Sequence, residues 1–239
     1  MSVLSARKVR CLSLGVPVLE DVFPGFKLGD FVVLYGKAVS SISFILSVRN
    51  QLAPNKGGLG SSAVFVDGGN SFSPYMVAEI ARSYDLDSRA VLEKICVSRA
   101  FTAYQLSSLI LEKLEPFLNR KRSKLLVVSD MTSLFFDRDI PETEAKDLFM
   151  QACAKLSEIA ARKKSIVVVT YFPERRSKRG VFFEAVLFGR SNVLVRFKER
   201  GKILSFVLEG HPSVRPFSMD LPTTDYARVR APLTDFMEV

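Results

Sequence analysis

Gly36-Lys37-Ala38-Val39-Ser40-Ser41-Ile42-Ser43 follows the apolar run Phe31–Tyr35 and leads into a helical pattern. Strand, glycine, then helix is how a phosphate-binding loop is built. The loop needs G-x-x-x-x-G-K-[ST]: glycines so that backbone N–H groups close around phosphate, a lysine for the β/γ-phosphates, and a hydroxyl on Mg²⁺. Counting from Gly36, the second glycine position holds Ser41, the lysine position holds Ile42, and only Ser43 fits. Lys37 follows the first glycine directly and takes the missing role only on a different loop path. The place of the loop is kept while its working side chains are replaced. Ser40, Ser41 and Ser43 at a helix start still present N–H groups and hydroxyls to an anion.

A second candidate is Pro173-Glu174-Arg175-Arg176-Ser177-Lys178-Arg179-Gly180, backed by Val181, Phe182 and Phe183. Arg175, Arg176, Lys178 and Arg179 suit phosphate neutralisation, and Phe182 suits base stacking. The plainer reading is a solvated loop whose phenylalanines begin the next core strand. The segment follows a strand end, where ligands meet open α/β sheets. Arg120-Lys121-Arg122-Ser123-Lys124 reads instead as a charged turn that keeps a Leu-rich strand soluble. The stretch carrying Asp137, Asp139, Glu142, Glu144 and Asp147 is an acidic loop that would repel a phosphate backbone and could face a basic partner.

The elements that must position these residues alternate. Buried strands are expected at 31–36, 62–67, 94–98, 124–129 and 165–170. Between them lie helical stripes: Ile42, Ile45, Leu46 and Val48; Val77, Ile80, Ala81 and Tyr84; Leu106, Leu109, Ile110, Leu114 and Phe117; and Phe149, Ala152, Leu156, Ile159 and Ala160. Ser73-Pro74 is an N-cap with proline at the first helical position. Unbroken Val/Leu/Ile runs alternating with helices predict a mostly parallel sheet covered on both faces. From Val193 the pattern changes. Val193–Lys198 and Ile203–Leu208 flank Glu199-Arg200-Gly201-Lys202, an antiparallel hairpin.

The 239 residues suit one large domain, 1–239, with an N-terminal arm over 1–11 and an exposed tail over 222–239. A hydrophobic fraction of 48% with 25% charged residues is that of a soluble globular protein. No charge-free apolar run reaches the ~18 residues of a membrane span, and the N-terminus has no secretory-signal pattern. Cys11, Cys96 and Cys153 are odd in number and widely spaced, against a disulfide framework or zinc site, so a cytoplasmic protein with reduced thiols is expected. A net charge of +9 suits a polyanionic partner.

The ordered set of joints resembles the archaeal RadA/RadB recombinases and the wider RecA/KaiC-like ATPase superfamily. Leu14-Gly15-Val16-Pro17 with Leu19, then Phe23-Pro24-Gly25-Phe26-Lys27-Leu28-Gly29-Asp30, is similar to the motif preceding the family's phosphate loop. Val64-Phe65-Val66-Asp67 leading to Phe72, Ser98-Arg99-Ala100-Phe101, Val167-Val168-Val169-Thr170 and Gly210-His211-Pro212-Ser213 continue the resemblance, which covers roughly 12–220. It implies a RecA-like P-loop ATPase fold, a mostly parallel sheet with helices on both faces and a C-terminal antiparallel hairpin. It also implies a core without the family's N-terminal helix-hairpin-helix domain, with His211 as a turn residue. Against the family pattern, the catalytic glutamate position holds Gly69. The Walker B aspartate position holds Ser129, with Asp130 one residue on, a shift that turns a strand side chain to the other face.

Three departures in three motifs lead to the expectation of a pseudo-ATPase with no cofactor. The degenerate nucleotide site is Gly36, Lys37, Ser40, Ser41, Ser43 and Asp130. The resemblance places the 173–180 segment at the family's second DNA loop. It implies a paralogue that binds DNA and assists a RadA-type recombinase in recombination or repair, as a homo- or hetero-oligomer and without a membrane. Three alternatives stay open: an RNA-binding ring or scaffold subunit, like the accessory subunits of Elongator; an ATPase using Lys37 or a neighbour's lysine; and a structural partner of an acidic protein.

Overall fold

The computed structural model describes residues 11–173, 177–201 and 203–221. The chain opens with β1 (Cys11–Leu12), the short helix α1 (Pro17–Glu20) and β2 (Phe26–Lys27). Next come β3 (Phe31–Gly36), α2 (Val39–Arg49), β4 (Ala63–Asp67), α3 (Pro74–Ser83) and α4 (Ser88–Glu93). β5 (Ile95–Arg99) is followed by α5 (Ala103–Ser108), a π-helical turn at Leu109–Lys113, and α6 (Leu114–Lys121). β6 (Leu125–Ser129), α7 (Glu142–Lys163), β7 (Ile166–Tyr171) and α8 (Lys178–Arg190) complete the alternating part. β8 (Val193–Arg200), β9 (Ile203–Gly210) and β10 (Phe217–Leu221) close it.

The strands form an eight-stranded sheet in the order β10-β9-β8-β3-β7-β6-β4-β5. Pairing is parallel from β8 through β5 and antiparallel across β8-β9-β10. Successive strand side chains point to opposite faces, so each apolar run feeds two cores. Val32, Leu34, Leu125, Val127, Ile166 and Val168 pack on the α2–α3 side. Phe31, Val33, Leu126, Val128, Val167 and Val169 pack with α5–α8 on the other. This double burial is why the strands read as unbroken apolar runs.

The Ser73 hydroxyl accepts from the Met76 N–H, the expected cap, and Gly201 turns the hairpin at φ 58. Four features differ from the sequence reading. Cys11 belongs to β1 and not to an arm. Val181, Phe182 and Phe183 lie on α8, where the plainer reading had a strand. Glu142, Glu144 and Asp147 sit on the first turns of α7, so the acidic segment is largely helical; acids there face the positive end of the helix dipole. β1, α1, β2, α4 and β10 were not anticipated. The chain up to residue 10 and from 222 lies outside the described residues, as do Arg175 and Arg176. No described helix is long and apolar enough to cross a membrane.

Candidate nucleotide and nucleic-acid sites

The β3–α2 joint is far shorter than a phosphate loop. Only Lys37 and Ala38 separate Gly36, the last residue of β3, from Val39, the first of α2. Two backbone devices make so sharp a joint possible. Gly36 has φ 99, and a Cβ there would stand 2.3 Å from the Phe197 carbonyl oxygen. Ala38 caps the helix in the left-handed region, at φ 57. The Lys37 N–H donates to the same Phe197 carbonyl at 3.0 Å, so it points at β8 and not toward a ligand. The Lys37 side chain is exposed.

α2 therefore begins before the serines, and they enter the helix. Ser41 is 1% exposed and Ser43 fully buried; the Ser43 hydroxyl donates to the Ser40 carbonyl at 2.6 Å. Ser40 is half-buried. The sequence reading had all three hydroxyls facing an anion; the fold turns Ser41 and Ser43 into the packing. Helix amides and the glycine-rich wrap must act together to hold a triphosphate, and here the wrap has no residues to form it. The groups present do not fit an Mg²⁺–nucleotide held in the P-loop manner.

At the neighbouring strand ends, parallel register places Asp67 between Arg99 and Ser129. The Asp67 side chain is fully buried and surrounded by donors. Its carboxylate accepts from the Ser71 N–H (2.9 Å), the Phe72 N–H (3.1 Å), the Ser129 hydroxyl (3.0 Å) and Arg99 Nε (3.2 Å). Burial alone would raise its pKa, but these hydrogen bonds and the Arg99 charge outweigh burial and hold the carboxyl below its ordinary value. Ser129 thus fastens two strand ends. Asp130 follows in the left-handed region, at φ 47, and its N–H donates to the Thr170 hydroxyl at 2.8 Å. Its carboxylate side lies against Gly69: a Cβ at Gly69 would come 2.7 Å from Asp130 Cβ. Asp130 occupies the space that a side chain at the glutamate position would need.

The basic segment meets the sheet after β7. Ser177 caps α8 by accepting from the Gly180 N–H at 3.0 Å, and Lys178 and Arg179 form its first turn. Cations there oppose the helix dipole. They lie near Glu142, whose pKa is lowered chiefly by its bond to Lys146 and further by Arg179 and Lys178. Lys178 is exposed. Arg179 is drawn inward, 6.0 Å over the Phe183 ring, with Nη1 3.5 Å from the Asp137 carbonyl. Phe182 is half-buried, with Lys146 Nζ 5.1 Å over its ring, so one face expected for base stacking already holds a cation. His211 is the turn residue that the resemblance implied: its Nδ1 accepts from the Ser213 and Val214 N–H groups at 3.1 and 3.0 Å.

Asp67 and Arg99 were in view in the sequence but carried no role, because their meeting depends on strand register. Arg122 and Lys164, cations that cap α6 and α7, were likewise unconnected. The RecA-like architecture and the joints of the phosphate-loop strand are accompanied by a family match: the family described as Rad51 matches residues 10–172. That span runs from β1 through the strand preceding the basic segment and covers more than half of the chain; the chain belongs to the Rad51 family.

Proposed function

We propose that this chain is a non-hydrolysing member of the Rad51 family that binds DNA and serves as an accessory factor in homologous recombination or repair. The observation that carries the reading is the two-residue β3–α2 joint, with Ser41 and Ser43 buried beyond it. Ser129 tied to Asp67, and Asp130 packed against Gly69, point the same way. DNA binding is supported by family membership, the charge of +9 and the exposed Lys178, which follows Arg175 and Arg176 in the sequence. An assembly partner is supported by the sheet edge. β5 ends the sheet with Val97 41% exposed, beside a groove lined by Val66, Leu109, Leu114 and Phe117. An edge strand with one side open next to an apolar groove is suited to strand addition.

The test combines turnover and binding. Phosphate release is measured with single-stranded and duplex DNA present, for wild type and Lys37→Ala, and DNA binding is followed by fluorescence anisotropy with and without ATP–Mg²⁺. No turnover and salt-sensitive, ATP-indifferent DNA binding are expected. Turnover lost in Lys37→Ala would establish an ATPase with an unorthodox loop. A preference for tRNA over both DNA forms would move the reading to an RNA-directed assembly.

A further inference from the structure

The cations at the two ends of the sheet are unequally compensated. At the C-terminal end, Lys178 and Arg179 stand near Glu142 at the start of α7. At the N-terminal end, two helices enter the sheet through matching basic turns. α6 passes into β6 through Arg122-Ser123-Lys124, and α7 passes into β7 through Lys164-Ser165. Both cap residues are left-handed, φ 49 at Arg122 and φ 48 at Lys164.

β6 and β7 pair in parallel with Leu125 opposite Ile166, so the turns lie side by side at the strand spacing of about 4.8 Å. The Ile166 N–H donates to the Lys124 carbonyl at 2.8 Å, and the Ser165 hydroxyl to the Ser123 carbonyl at 3.3 Å. A cavity of about 390 Å³ opens against them, lined by Arg122, Lys124, Lys163 and Lys164 with Leu28 and Leu118. Lys163 is paired with Glu115 at 3.2 Å, and Lys124 Nζ donates to the Leu59 carbonyl at 3.1 Å. Arg122 and Lys164 are exposed and make no side-chain ion pair or hydrogen bond among the described residues.

Helix-end electrostatics accounts for Arg120, Lys121, Arg162 and Lys163 in the last turns. It does not require cations at the caps beyond them, where glycine or asparagine is the unstrained choice. Two strained caps on adjacent strands carry charge instead, over a concavity. We propose that this twin turn is a second nucleic-acid contact, taking backbone phosphates at the end of the sheet opposite Lys178 and Arg179. None of the large exposed apolar side chains lines it, so it lacks what a membrane-inserting surface needs. The choice of nucleic acid as the polyanion rests on the function proposed above.

The test is anisotropy of the full chain on single-stranded and duplex oligonucleotides between about 50 and 200 mM salt. It compares Arg122→Gln/Lys164→Gln with Arg175→Gln/Arg176→Gln/Lys178→Gln. The twin-turn variant is expected to melt with wild type and to bind duplex more weakly. Its log–log salt slope should be shallower by about 0.9 for each lost phosphate contact. Arg122→Lys, which keeps the charge, should restore most of the slope. An unchanged slope in the twin-turn variant, with loss in the segment variant, overturns this inference and leaves the proposed function standing. Loss in the twin-turn variant alone supports the inference and removes the segment from the reading. No binding by wild type removes both, and an equal slope change on polyglutamate overturns the assignment to nucleic acid.

Discussion

Asp67→Asn is the perturbation that bears most directly on how the strand ends are held together. Asparagine keeps the size of the side chain but removes the charge and turns one acceptor oxygen into a donor. Five donors converge on this carboxylate: Ser71 N–H and Oγ, Phe72 N–H, Ser129 Oγ and Arg99 Nε. An amide NH₂ must therefore face at least one of them, leaving buried groups unsatisfied. Breaking a buried charged pair on one side costs about 3–5 kcal/mol. Arg99 is 38% exposed and regains water, which lowers the expected loss to about 2–4 kcal/mol. At roughly 2–4 °C per kcal/mol for a chain of this size, the melting temperature should fall by about 4–16 °C. The assay is thermal and urea unfolding of both proteins at neutral and acidic pH. Because the folded-state pKa is depressed, the stabilisation is present above the unfolded value of about 3.9 and lost as pH falls through the folded value. The gap between the two proteins should therefore narrow in acid. A variant melting within about 1 °C of wild type at neutral pH would refute the claim that this carboxylate ties β4 to β5 and β6.

Other substitutions probe neighbouring joints. Gly36→Ala should destabilise by at least about 2 kcal/mol in urea unfolding, because its backbone is at φ 99 and its Cβ would meet the Phe197 carbonyl at 2.3 Å. Gly69→Glu introduces the residue type that the family resemblance implies for an ATPase at that position, yet it should lower stability and give no phosphate release. Pairing it with Asp130→Gly should recover part of the loss, so a double-mutant cycle with no coupling would refute the contact between them. Burial pushes the Cys153 thiol up to about 12. In the native protein it should not react with a thiol reagent at pH 8, where half-buried Cys96 should react, and it should become reactive on denaturation.

The sequence by itself determined the buried parallel strands, the hairpin after them and their order along the chain. Runs such as Leu125–Val128 and Ile166–Val169 have no polar side to expose, so they must lie in a sheet covered on both faces. It also determined that Ser41 and Ile42 stand where G-x-x-x-x-G-K-[ST] has glycine and lysine, since residue types at counted positions need no coordinates. Tertiary structure decided the rest, because it depends on register and on where helices begin. Ser43 reads as a free hydroxyl in the sequence, and only the early start of α2 buries it. Phe182 and Phe183 follow a basic segment as a strand would, and only the Ser177 cap and packing against α7 make them helical. Asp67, Arg99 and Ser129 are far apart in the chain, and parallel pairing alone sets them side by side. Arg122 and Lys164 are likewise neighbours only because β6 pairs with β7 in the register that aligns the ends of α6 and α7.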